Sequence, residues 1–109
     1  MISEQINNCT IIHCEKKRID AIYAPEFNRS VCDIIKQSLV YIKAVILDLS
    51  NIEYIDSSGL GAIVLIFQKL KIKFFLCGVK GQVEKLIKAT RLDSIFALHQ
   101  DVASAVLAA

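Results

Sequence analysis

The 109-residue chain has little net charge, no long apolar run and no closely paired cysteines, and each lack narrows what it can be. A formal charge of +2, with Lys and Arg scattered among acids, argues against direct nucleic-acid binding. The one basic cluster, Glu15-Lys16-Lys17-Arg18, reads as a solvated turn. The longest apolar run near the middle, "AIVLIF", is far too short to span a bilayer, so no membrane insertion is expected. The first residues, "MISEQINN", have neither a basic n-region nor an apolar h-region. With no secretory signal visible, the chain reads as a reducing, cytoplasmic protein. Cys9, Cys14, Cys32 and Cys77 form no C-x-x-C pair, and only His13 and His99 could assist them in holding a metal. Cys14, Cys32 and Cys77 lie in or beside apolar stretches, where a free thiol behaves as a small hydrophobe. There is no linker, repeat or low-complexity segment, so residues 1–109 read as one domain, long enough to bury a core.

Hydrophobic residues make up 54% of the chain, and their spacing alternates between two periods. Residues 2–6 and 9–14 read as strands around the turn Asn7-Asn8. Pro25 suits the first turn of a helix, and Phe27, Val31, Ile34, Ile35 and Leu39 make 25–41 amphipathic. "AVILDLS" at 44–50 is a near-continuous apolar strand, the pattern of one covered on both faces. Val45 and Leu47 are expected on one face, Ile46 and Leu49 on the other or against a neighbouring strand. Leu60, Ile63, Val64, Phe67 and Leu70 form the core stripe of a helix over 57–70. A strand at 72–79, a helix at 81–90, a strand near 95–98 and a helix near 100–108 complete the order ββαβαβαβα. Such alternation implies an α/β domain, a mixed sheet with helices packed on it.

Function turns on "EYIDSSGLGA", residues 53–62. A serine hydrolase of the α/β type needs G-x-S-x-G, an acid and a histidine. The leading glycine is missing and no motif ties His13 or His99 to the serines, so no catalytic residue is assigned and an enzyme is not expected. Gly59 and Gly61 give G-x-G without the third glycine of a dinucleotide fingerprint or the Gly-Lys-Ser/Thr of a P-loop, so no cofactor is called. Asp56, Ser57 and Ser58 all favour a helix N-terminus, where their oxygens accept free N–H groups. A cap leaves one thing unexplained. The helix face opposite the core stripe carries Ser58, Gly61, Ala62, Leu65 and Lys69, with Ile66 at its border, where a solitary surface helix would place charges. Small and aliphatic residues there make a docking surface for another protein. A hydroxyl at its edge is a suitable place for a phosphate switch.

"VILDLSNIEYIDSSGLGAIV" resembles the signature of the STAS domain family, the anti-sigma factor antagonists and their relatives. "RIDAIYAPEF" and "FFLCGVKGQVEKLIKAT" extend the resemblance over nearly the whole chain. It implies a mixed sheet flanked by helices on one side. It also implies that the first serine after the aspartate, Ser57, is phosphorylated by a partner kinase that is itself an anti-sigma factor. The unphosphorylated form would bind that kinase and free a sigma factor, phosphorylation would break the complex, and a phosphatase would restore it. Partner-binding residues carried over or read from the exposed face are Asp20, Asp56, Ser58, Gly59, Gly61, Ala62, Leu65 and Lys69. The alternative in the same family is a constitutive STAS subunit of a phospholipid-transport ABC complex or of a stressosome-type assembly. Two positions depart from the family pattern. Lys16, Lys17 and Arg18 stand where a glycine is usual near the "ID" pair, and Arg91 replaces the glycine after the third helix. Glycine is what tolerates a left-handed C-cap, so Arg91 predicts a different helix ending.

Overall fold

A computed structural model describes residues 1–38 and 41–109. Strand β1 (Ile2–Ile6) turns through Asn7 and Asn8, both at positive φ, into β2 (Cys9–His13). Asparagine tolerates that left-handed geometry, which matches the twist of a two-residue hairpin. The chain then runs β3 (Arg18–Ile19), α1 (Ala24–Gln37), β4 (Ala44–Asp48), β5 (Tyr54–Ile55), α2 (Ser57–Lys69), β6 (Lys73–Cys77), α3 (Gly81–Ala89), β7 (Ala97–His99) and α4 (Val102–Ala108). Five strands form one sheet in the order β1-β2-β4-β6-β7, antiparallel only between β1 and β2. The mixed sheet and its helices are those expected from the apolar periods. The two-residue strands β3 and β5 pair in parallel as a separate ribbon, too short for an alternation signal to show in the sequence.

The core divides by strand face. Val45, Leu47 and Leu49 lie with Phe27 and Val31 of α1, Leu60, Ile63 and Ile66 of α2, and Val83 and Ile87 of α3. Ala44 and Ile46 lie on the opposite face with Ile11, Phe75 and Ala105 of α4. Leu49 therefore sides with Val45 and Leu47 and not with Ile46, as a strict period of two requires. Helices also cover both faces and not one: α4 caps the face that the first three leave bare. On α2, Leu60 and Ile63 are buried as expected, Val64 and Phe67 are half-buried, and Phe67 stacks edge-on against Phe96 at 5.5 Å between ring centroids. Helix α1 stops at Gln37, short of the expected 41, because the Ser38 N–H and hydroxyl bond back to the Ile35 and Ile34 carbonyls. Leu39, counted in its stripe, lies outside the described residues.

Arg91 overturns an expectation. It takes the left-handed conformation itself, φ 60° and ψ 22°, just after the α3 cap residue Thr90. The helix ends in the geometry a glycine would give, held in part by the Thr90 hydroxyl donating to the Leu86 and Ile87 carbonyls. A side chain in that region costs about 1–2 kcal/mol, against which glycine loses more backbone entropy, about 0.5–1 kcal/mol. Arg91→Gly is therefore expected to raise stability by up to roughly 1 kcal/mol, read as a higher urea midpoint at unchanged m-value.

Candidate functional site

The serine stretch sits where three elements converge on the start of α2. Asp56, in extended conformation, is the N-cap: its Oδ1 accepts the Gly59 N–H at 2.9 Å. Its Oδ2 accepts the Ala21 N–H at 3.0 Å, tying α2 to the loop that enters α1. One carboxylate thus closes a helix end and clamps the neighbouring loop, as an acceptor-only group with two oxygens can. In that loop the Asp20 Oδ1 accepts the Tyr23 N–H at 3.1 Å, and its Oδ2 lies 3.7 Å from Arg18 Nε. Asp20 and Asp56 therefore stand at the same end of the sheet.

With the cap made by Asp56, the two hydroxyls are left over. Ser57 and Ser58 are both exposed, and among the described residues neither hydroxyl has a hydrogen-bond partner. No base among the described residues is hydrogen-bonded to either of them. Both ring nitrogens of His13 are engaged elsewhere, one with Glu4 and one with Asp48 Oδ2 at 2.7 Å. Burial lowers the His13 pKa, but hydrogen bonds to and the charges of Glu4 and Asp48 outweigh it and hold the imidazole above its ordinary value. Cys14 and Cys77 are pushed up to about 12, first by burial and then by the Asp48 charge, so these thiols are inert. Among the described residues no group of three or more His, Cys, Asp or Glu converges to hold a metal.

The expected docking face separates into two parts. Gly59 is buried: a Cβ there would lie 2.1 Å from the Ile19 carbonyl oxygen and 2.8 Å from Ile55 Cγ1. The glycine of the motif serves the contact between α2 and the β3–β5 ribbon, so Gly59 does not face a partner. Ala62 is 6% exposed and lies low between α1 and α2, at the floor of the cleft they bound and not on an open outer face. Helix periodicity alone missed this because α2 is packed against the sheet on one flank and α1 on another. Ser58, Gly61, Leu65 and Lys69 stay exposed and line one wall of a cleft of about 1030 Å³, whose other wall is α1. Leu65 is 51% exposed.

One positioning residue escaped sequence reading. The Gln82 carboxamide on α3 accepts from the Ile55 N–H at 2.9 Å and donates to the Ile55 carbonyl at 2.8 Å, pairing the free edge of β5 as a strand would. That clamp fixes the residue immediately before Asp56. Replacing Gln82 by leucine leaves a donor and an acceptor unpaired, a cost of about 1–3 kcal/mol. The expected result is that loss in urea unfolding, with faster amide exchange at Ile55.

A model of the STAS domain matches residues 1–105, nearly the whole chain. The chain belongs to the STAS domain family. Among solved structures, a Thermotoga maritima protein classed as a candidate anti-sigma factor antagonist superposes with a TM-score of 0.80 at 25% identity, over 95% of this chain and 89% of that one. An anti-sigma factor antagonist from Mycobacterium paratuberculosis reaches 0.86 at 23% identity, over 98% and 90%. The anti-sigma factor antagonist SpoIIAA in its unphosphorylated form reaches 0.70 at 15% identity, over 92% and 88%. This STAS domain thus covers 88–90% of each of those chains, and its fold is the one on which they are built. No helix among the described residues is long and apolar enough to cross a membrane.

Proposed function

We propose that this STAS domain is a phosphorylation-switched binding module, an anti-sigma factor antagonist acting in the cytoplasm. In this reading the unphosphorylated domain binds a serine kinase that is also an anti-sigma factor, and so frees a sigma factor. Ser57 takes the phosphate, the complex parts, and a phosphatase resets it. The observation that carries the reading is that the Asp56 side chain caps α2, which leaves the Ser57 hydroxyl exposed and structurally unused, next along the chain to Ser58 of the cleft wall. A serine needed as a cap would unravel the helix end whenever it was modified; this one is free to carry a phosphate. Ser58, Gly61, Leu65 and Lys69 supply the surface, while Asp20 and Asp56 hold the loop before α1 and the start of α2 in place through the Tyr23, Ala21 and Gly59 N–H groups. The family kinship and the likeness to anti-sigma factor antagonists support the assignment.

The test is incubation with the kinase encoded beside it and ATP, read by mass spectrometry. Ser57→Ala is expected to abolish labelling while the protein melts within a few tenths of a kcal/mol of wild type, since the cap's typical 0.5–2 kcal/mol belongs to Asp56. Labelling that persists in Ser57→Ala and vanishes in Ser58→Ala would move the phosphate to Ser58. No labelling of either serine would leave the constitutive subunit as the reading.

A further inference from the structure

The cleft has a second wall that the serine motif does not explain. Helix α1 lies in the crossover from β2 to its parallel neighbour β4, and α2 in the crossover from β4 to its parallel neighbour β6, so they run side by side in the same direction. With 14 and 13 residues they bound a trough about 20 Å long at ~1.5 Å per residue. Its floor is small and apolar: Ala24, Ala62 and Leu65, with no atom within 4 Å of where a Cβ on Gly61 would point. Its rims are cationic. Arg29 and Lys36 rise from α1 and Lys69 from α2, against the single anion Asp33. Among the described residues none of these four groups makes an ion pair. Asn28, also on the α1 wall, has a buried Nδ2 with no hydrogen-bond partner among the described residues.

From this pairing of open apolar floor and unneutralised basic rims, we infer that the α1/α2 cleft seats an acidic amphipathic helix of the partner protein. This inference rests on the binding-module reading and adds the chemistry of what is bound. Small residues let a third helix axis approach closely, as ridge-into-groove packing needs. A helix of three to four turns matches the trough, with its apolar stripe on Leu65 and Gly61 and carboxylates toward the rims. Lys36 and Lys69 both lie in the last turn of their helices, so the basic end of the trough is opposite the serine end. A second copy of this chain is a poor occupant. Face-to-face docking would set Arg29, Lys36 and Lys69 against their own equivalents, and like charges brought together oppose association. A phosphate at the serine end repels an acidic occupant, which links the cleft to the switch.

The probe is a fluorescein-labelled helical peptide of 14 residues with a leucine stripe flanked by glutamates, compared with its lysine counterpart by anisotropy against the intact protein. The acidic peptide is expected to bind at least tenfold more tightly than the basic one and to weaken with added salt. Gly61→Leu, whose Cβ points into open space, and Lys69→Glu are each expected to weaken it at least tenfold without lowering the melting temperature. Equal binding of the two peptides, or full binding to Gly61→Leu, overturns the inference. So does a peptide that fails to bind while the protein forms a Lys69-dependent dimer, or binds anionic phosphatidylglycerol vesicles through Lys69. If the acidic peptide binds as described but Ser57→Asp leaves kinase binding intact, the cleft inference stands and the phosphorylation switch falls.

Discussion

Gly59→Ala is expected to destabilise the domain by about 3 kcal/mol, the upper end of what overpacking a tight contact usually costs. The reason is backbone against backbone. The added methyl would stand 2.1 Å from the Ile19 carbonyl oxygen, which also accepts the Asp56 N–H at 3.3 Å. Neither partner is the end of a flexible side chain that can swing aside. Relief requires α2 to lift from the β3–β5 ribbon, which strains the Asp56 bonds to Gly59 and Ala21 together. Gly61→Ala, two residues on, is the matched control. It meets open space, and replacing glycine by alanine within a helix gains about 0.5–1 kcal/mol. Thermal unfolding should separate the pair, with Gly59→Ala melting roughly 10 °C or more below wild type and Gly61→Ala slightly above it. Equal effects at the two positions would mean that Gly59 does not make this contact in solution.

Ser57→Asp is expected to melt like wild type and yet bind the partner kinase at least tenfold more weakly, about 1.4 kcal/mol. A negative group in the first turn of α2 is favoured by the helix dipole by roughly 0.3–1 kcal/mol. Like-charge repulsion from Asp56 next door, screened by salt, opposes it by a similar amount. The two nearly cancel in the free domain. At an interface no such balance holds, because an anion next along the chain to Ser58 of the cleft wall must be desolvated against a docked partner. Leu65→Glu tests the same surface from its centre: the side chain is half exposed, so the fold should tolerate the change while docking weakens by a similar factor. Calorimetric titration of both variants against the kinase, with melting curves alongside, decides. If Ser57→Asp binds as tightly as wild type while Leu65→Glu does not, the surface remains a docking face and the switch gives way to a constitutive subunit.

Much of this was legible in the residues. The apolar alternation and the 3.6 period fix which segments pair in the sheet and which pack on it, because those periods are properties of single strands and helices. The motif 53–62 likewise located the start of α2, since Asp-Ser-Ser before an apolar stripe marks a helix start whatever surrounds it. What the sequence could not determine were relations between elements. Which of three polar residues caps α2 depended on the Ala21 N–H arriving from another segment to hold the Asp56 carboxylate in place. That Gly59 is hidden and Ala62 recessed to the cleft floor followed from the approach of Ile19 and of α1, neither of which a helical wheel contains. The Gln82 clamp joins positions 27 residues apart, and the basic rims come from two helices separated by two strands. Periodicity is written into each segment by its own geometry. Capping choice, close approach and the pooling of charge across a cleft exist only once the segments have met, and tertiary packing alone decided them.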